Sequence, residues 1–460
     1  MQPNVPFLRL AGKAASVTAL IAAVSASGGG AQDVLTISQA LSRADRRAFP
    51  NRIAVAVSRQ ASARAIEPLA GVLPDLRLAG GWARTTDPLS AFGYRLEQRA
   101  LTAASFDPTR LNYPSAATNI GAGIILEQPL LNPDALLGRR AAERGLAAER
   151  ASERWTRVTT GLDVVRAYYG AVLATARATS LATASKAAQE HVRQAEALHL
   201  NGAVTRSDGL LASVRAREVG DELLAATGAV REARLALSVV LGSPGDTDYA
   251  LPVALPPGER LRALAARVAS DTGAHQREDV HAAELGRASA EAGLDRARSR
   301  LLPRVNAFGR LDWNAPTTVF GGRDGWTVGI AVSWSPFGGA ADWSGIGTAL
   351  GARASATARA DAASAEAWLD RERAGIELTV ATERLLSAER AVEEAQEAHR
   401  IVSRKYDGGL AAVVELMDAA AAEDRSRLSF DGARYELLVA IARRRQAAGL
   451  DYSVMEELGQ

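Results

Sequence analysis

The chain is written twice, and that duplication limits its fold more than any other feature. Pro129 and Pro336 each close a short alternating segment, and 336 − 129 = 207. Gly202 and Gly409, read as turn glycines, keep the same separation (409 − 202 = 207). So do Gly242 and Gly449, which end helical stretches (449 − 242 = 207). The segments 129–242 and 336–449 therefore align without a gap. Inside them Ala174-Thr175, Arg177 and Ser180 match Ala381-Thr382, Arg384 and Ser387, and Ala188-Gln189-Glu190 matches Ala395-Gln396-Glu397. Upstream, Val72-Leu73-Pro74 corresponds to Leu301-Leu302-Pro303 at 303 − 74 = 229, so the first copy carries a strand-to-strand loop longer by 229 − 207 = 22 residues. A fixed offset marks a repeated supersecondary unit. Each copy reads as helix, strand, loop, strand, very long helix, turn, helix, with copies at 32–255 and 256–460.

The long helices set the dimensions. Ala135 to His199 contains no proline and little turn chemistry, giving about 65 residues or roughly 100 Å of helix. Leu350 to Tyr406 is similar. Helices far beyond the usual globular length are held by packing along one another as coiled coils. Abundant Ala lets their axes approach closely but buries less apolar surface per residue than Leu. Such helices depend on lateral neighbours, other copies of the chain included.

The strands alternate cleanly. In Thr327–Trp334, Val328, Ile330, Val332 and Trp334 share one face, and in Thr118–Leu126 Ile120, Ala122, Ile124 and Leu126 do. Leu76, Leu78 and Trp82 form the same stripe in the first strand, as do Val305, Ala307, Leu311 and Trp313 in the third, whose other face carries Asn306, Arg310 and Asp312. Apolar-out, polar-in strands with Trp near their ends suit a barrel in lipid around water. A sheet packed on helices would need a second layer, for which few residues remain. Four strands cannot close a barrel, about eight being the usual minimum, and open edges are not tolerated in lipid. Copies are therefore required, and three would supply twelve strands (3 × 4).

The start of the chain reads as a secretory leader over 1–31. Arg9 and Lys13 precede a short apolar run, Ala14 to Val24, and Gly29-Gly30-Ala31 offers a cleavage site before Gln32. The run is too short to span a bilayer. Lys+Arg number 54 against Asp+Glu 52; without the leader's two cations the balance is 54 − 2 = 52 against 52, which gives no electrostatic reason to seek nucleic acid. Cysteine is absent, which removes disulfides, thiolate metal sites and thiol nucleophiles.

Taken together, these residues resemble the TolC-like outer-membrane efflux family over nearly all of the chain after the leader. Phe49-Pro50-Asn51 and Leu73-Pro74-Asp75-Leu76 resemble the family's opening helix and its passage into the first strand. Gln128-Pro129-Leu130-Leu131 and Ser335-Pro336-Phe337-Gly338-Gly339 resemble its strand-to-helix corners. Tyr406-Asp407-Gly408-Gly409 followed by Val414-Glu415-Leu416-Met417-Asp418-Ala419 resembles its second helical turn. Gln276-Arg277-Glu278-Asp279-Val280 resembles a segment that usually has Pro where Glu278 stands.

The resemblance implies a mainly α chain with a β-barrel part: a homotrimer with a twelve-stranded barrel in outer-membrane lipid of a Gram-negative bacterium and a helical tunnel in the periplasm. It further implies a passive exit duct that meets a periplasmic adaptor (membrane fusion) protein and an inner-membrane pump of RND or ABC type. No cofactor, metal or catalytic centre is implied. Glu415 and Asp418, three apart on one helix face, would form two acidic rings at the periplasmic aperture and favour cations; read alone, they are an ordinary solvated face. Asp208 and Tyr406 would latch that aperture by a charge-assisted hydrogen bond; the bland reading is an N-cap Asp and a packed Tyr. A family Arg that adds bonds to this latch aligns with Ala411, leaving Arg206 as a substitute. The turns 200–206 and 407–412, with Gly202, Gly408 and Gly409, would face the adaptor.

An enzyme reading fails on inventory. His191, His199, His275, His281 and His399 show no metal-ligating spacing, and His191 and His199, eight apart, read as surface positions. Gly321-Gly322-Arg323-Asp324-Gly325 reads as a hairpin turn between strands, not a phosphate loop. The rival from another class is an exported coiled-coil scaffold with a small sheet and no conduction.

Overall fold

A computed structural model describes residues 34–201, 204–271, 276–318 and 321–459; the leader and Gly202 lie outside them. The first copy runs α1 (Ile37–Arg47), α2 (Phe49–Arg64), β1 (Asp75–Thr85), two short helices α3 (Pro88–Glu97) and α4 (Pro108–Asn112), β2 (Ala117–Leu131), α5 (Pro133–Leu200) and α6 (Arg206–Val240). The second runs α7 (Gly258–Ser270), α8 (Glu278–Ser299), β3 (Arg304–Ala315), β4 (Arg323–Ser333), α9 (Ala340–Asp407) and α10 (Val413–Ala447). The long helices repeat residue for residue: α9 starts 340 − 133 = 207 after α5, and α10 ends 447 − 240 = 207 after α6.

Local chemistry fixes these boundaries. Asn132 caps α5 by accepting from the Ala135 N–H, with Pro133 at the first helical position, where its missing N–H costs nothing. Thr205 and Asp208 form a reciprocal capping box at the start of α6. Gly242 and Gly449 both hold φ +74°. Each closes its helix by a paired carbonyl reach-back, from Gly242 to Val239 and Ser243 to Ser238, and from Gly449 to Gln446 and Leu450 to Arg445.

Three local expectations shift. Pro129 does not end its strand: β2 continues to Leu131 through a bulge between Pro129 and Leu131, where a residue without an N–H is tolerated. Helix α9 begins at Ala340, ten residues ahead of Leu350 (350 − 340), because Gly345 and Gly347 dilute a helical signal that packing overrides. Arg323-Asp324-Gly325 already belong to β4, so the turn is confined to residues before them.

The four strands form one antiparallel sheet in chain order, β1-β2-β3-β4. The register aligns the apolar stripes: Leu78 faces Ile124, Ile124 faces Leu311, and Leu311 faces Trp326. That face is bare, with Leu78 75% and Ile330 69% exposed. The opposite face satisfies itself with polar pairs: Asn119 donates to Asn314 at 2.7 Å, Asn306 to Glu127 at 2.7 Å, and Arg310 to Asp312 at 2.7 Å. Both outer strands keep an unpaired edge within the chain.

The main core lies at the waist, where α1, α7 and the 3₁₀ segment Ser453–Gly459 wrap the middle of the long helices. Leu35, Val164, Leu237, Leu261, Leu385, Leu437, Ile441 and Met455 are all at most 1% exposed there. The waist also holds a buried cation that the sequence did not single out. Arg277 donates to Asp279 and, at 3.1 Å, to Asp370, and its guanidinium lies 4.7 Å from the Trp155 ring centroid. Glu278 occupies the first helical position of α8, where Pro is equally acceptable, and pairs with Arg154.

Candidate functional site at the distal helical turns

At the end of the bundle away from the sheet, α9 turns into α10. Gly409 sits at φ +69°, donating to the Tyr406 carbonyl, while Leu410 donates to Lys405, the same reach-back that ends α6 and α10. No heavy atom lies within 4 Å of a Cβ placed on Gly409, whereas Gly408 adopts an ordinary φ of −86°. The turn is short and leaves its tip in solvent, with Leu410 82% exposed.

A small satellite core supports this turn. Tyr406, Val413 and Leu416 are buried together, with Leu198 and Val204 from the first copy and Val402, Ala411 and Met417 from the second packed around them. The cluster therefore ties the two hairpins to each other. Burial, then the charges of Asp208 and Asp407, push the Tyr406 phenol above its ordinary pKa. Asp208 is thus within electrostatic range of Tyr406. Its carboxylate is engaged elsewhere: it accepts from the Thr205 N–H and hydroxyl, both at 2.8 Å, and these bonds lower its pKa. No hydrogen bond joins Asp208 to Tyr406 within the chain. Arg206 is exposed and has no ion-pair partner among the described residues.

Glu415 and Asp418 are exposed in the first turns of α10. Val413 and Leu416 mark the buried side, and two residues along a helix is a rotation of about 200°. Both carboxylates therefore point away from the Tyr406 cluster, and neither has an ion-pair partner among the described residues. Two like charges on one open face are free to meet a cation or the same residues of another copy.

Beyond this turn, the structure corrects one reading. His191 is half-buried, not a surface position, and faces His399 across the two hairpins. Burial, then the charge of His399, lowers its pKa. His399 Nδ1 lies 2.6 Å from the Glu423 carboxylate. Local spacing could not show this pair, because 399 − 191 = 208 residues separate its members; the signal was the repeat, one residue off its 207 offset. Among the described residues no group of three or more His, Cys, Asp or Glu is placed to hold a metal ion. Among them also, no helix is long and apolar enough to cross a membrane.

A family model described as outer membrane efflux protein matches residues 52–243 and 271–450, taking in most of both copies. No curated protein is matched by sequence. Among solved structures, the outer-membrane protein VceC of Vibrio cholerae is similar at TM-score 0.75 and 17% identity, covering 91% of this chain and 97% of its own. The CmeC outer-membrane channel of Campylobacter jejuni gives 0.74 and 16%, covering 92% and 89%. The open MtrE outer-membrane channel of Neisseria gonorrhoeae gives 0.68 and 16%, covering 90% and 89%.

Proposed function

The chain belongs to the outer membrane efflux protein family, and on that premise we propose that three copies join their sheets edge to edge into one barrel, with the distal turns forming a gated periplasmic entrance. The chain is an outer-membrane efflux channel, with its long helices in the periplasm. The observation that supports the assembly best is the sheet: a continuous apolar face left bare, a polar face already satisfied, and two open edges. An unpaired edge is not tolerated in lipid, and only closure by further strands removes it. An exported scaffold would leave the apolar face in water, a patch that soluble proteins rarely carry, and is not favoured.

In this reading the channel conducts passively. An inner-membrane pump of RND or ABC type supplies the energy, and a periplasmic adaptor docks on the turns around Gly408 and Gly409. Glu415 and Asp418 of three copies make two acidic rings that select cations at the entrance. Asp208 and Tyr406 restrain it: a small rotation that frees the carboxylate from Thr205 would let it accept from the phenol. No step of this function calls for catalysis.

Single-channel conductance in a planar bilayer tests the entrance, comparing wild type with the Glu415→Ala/Asp418→Ala variant, with and without a trivalent cation. The expected result is a small, stable conductance that the cation blocks in wild type and not in the variant. Equal block in both would sink the acidic-ring assignment and leave the duct standing.

A further inference from the structure

Between the α5–α6 and α9–α10 hairpins, just beyond the distal turn, lies a cavity of about 320 Å³. Six ionisable side chains line it, and they come from all four helices: His191 of α5, Arg215 of α6, His399 of α9, and Glu423, Asp424 and Arg427 of α10. The chain has only five histidines, and two of them meet here. Apolar Leu181, Val219 and Leu428 share the wall with the hydroxyls of Thr179, Ser180 and Thr183.

The groups are unequally held. Glu423 takes both His399, at 2.6 Å, and Arg427. Arg215 pairs with Glu218 at 3.1 Å and reaches Glu222 at 4.0 Å. Asp424 makes no hydrogen bond or ion pair of its own among the described residues; burial, then the charge of Glu423, raises its pKa. With His191 neutral, Glu423 and Asp424 share the cavity with Arg427, while Arg215 is also paired with Glu218 and Glu222 outside it. Protonating His191 adds a positive charge beside the His399–Glu423 pair with no new anion. The cavity then gains positive charge between the two hairpins.

The cavity is mechanically joined to the entrance. Met417 lines it and also packs on the Tyr406 cluster. His399 precedes Tyr406 by 406 − 399 = 7 residues on α9, about 10 Å along the helix.

We propose that this four-helix node is a proton-operated release for the periplasmic end, in which protonation of the half-buried His191, held against His399 of the facing hairpin, drives the two hairpins apart and favours an open entrance. The proposal rests on the duct reading above. Its sign follows from linkage. His191 has a lowered pKa in the packed arrangement, so the separated arrangement binds the proton first. Packing is fully favoured above the ordinary histidine range near 6.5 and weakens as pH falls toward the lowered value. Each pH unit between the two values moves the open-to-closed ratio about tenfold. Below the lowered value both arrangements are protonated, and the response is flat.

The test is conductance of the purified oligomer in planar bilayers at about pH 7.5 and about pH 5.5, which bracket the ordinary histidine range. Wild type should open in acid, and His191→Gln/His399→Gln should conduct like wild type at the higher pH and show no acid opening. Glu423→Gln, which removes an anion from the cavity, should open at a higher pH than wild type. Glu415→Ala/Asp418→Ala should keep the acid response, since those carboxylates lie outside the node. An acid response retained in full by the double histidine variant, or none in wild type, overturns the proposal. A folded oligomer that forms no channel at either pH sinks the duct reading itself, whereas a channel indifferent to acid sinks only the proton release.

Discussion

The waist and the distal end of the same four helices are built on different principles. At the waist, large aliphatic and aromatic side chains from α1, α7 and the C-terminal segment surround the helix middles, and Leu237, Leu437, Leu438 and Ile441 are wholly buried. Toward the distal turns the buried residues are small or few, with Ala195, Ala212 and Val219 beside the Tyr406, Val413 and Leu416 cluster, and a cavity lined by six ionisable groups opens between the hairpins. Local stability follows buried apolar contact. One set of continuous helices can therefore be anchored at its middle and loosely packed toward its distal end without any hinge in the chain, which suits the gated entrance proposed above.

Matched substitutions should expose that contrast. Leu437→Ala, in the waist, is expected to cost about 2–5 kcal/mol, and Leu416→Ala, in the satellite core with partners free to collapse around it, should fall at or below the low end of that range. Denaturant unfolding of the detergent-solubilised oligomer would read both; equal losses would abolish the distinction between the two cores. The helix-ending glycines give a second pair. A Cβ on Gly242 would stand 2.1 Å from the Arg47 carbonyl oxygen, while one on Gly409 meets nothing within 4 Å, although both residues hold positive φ. Gly242→Ala should therefore cost about 2–4 kcal/mol, combining clash and backbone strain, and Gly409→Ala only about 1–2 kcal/mol.

Alkali should attack the waist first. Tyr168 is buried, donates to the Leu35 carbonyl at 2.7 Å, and has its pKa pushed up to about 12 by burial. The unfolded chain loses this proton near pH 10, so stability falls as pH rises from about 10 to about 12, by on the order of 2 kcal/mol from this group. Tyr168→Phe should flatten that part of the profile while leaving the acid limb alone; an unchanged alkaline profile would remove Tyr168 as its cause. The smallest effect is expected at the tip. Thr205→Ala removes the cap of α6 and frees the Asp208 carboxylate, at a cost of about 1 kcal/mol. It should leave the overall melting temperature nearly unchanged and alter open-channel probability instead.

Much of this contrast was legible in the sequence, for reasons that can be named. Gly242, Gly409 and Gly449 stand where a helix must reverse with positive φ, so the chain's punctuation gave the duplication and the helix ends within a few residues. Strand faces followed from strict alternation, and the register then placed Leu78, Ile124, Leu311 and Trp326 side by side. Pro129 misled because a bulge can hold a proline that a regular ladder cannot. Tyr406, Asp208, Glu415 and Asp418 stand out only through a resemblance of motifs, and only the fold sets Asp208 on Thr205 and turns the two acids away from the buried side of α10. His191 and His399 were missed as a pair because nothing local joins them, and Arg277 because a buried cation held by Asp279, Asp370 and Trp155 looks like any other Arg in the chain.

Completion of the sheet by further copies is directly testable by crosslinking in the outer membrane, because cysteine is absent from the chain. One cysteine would be placed on the β1 edge as Ala79→Cys, paired in separate variants with Thr327→Cys, Gly329→Cys or Ala331→Cys on the polar face of the β4 edge. Edge-to-edge closure predicts that at least one pair oxidises to a ladder ending at three chains. A ladder that stops at two, or none from any pair in protein that runs as a folded oligomer, would rule out closure of the sheet by three copies.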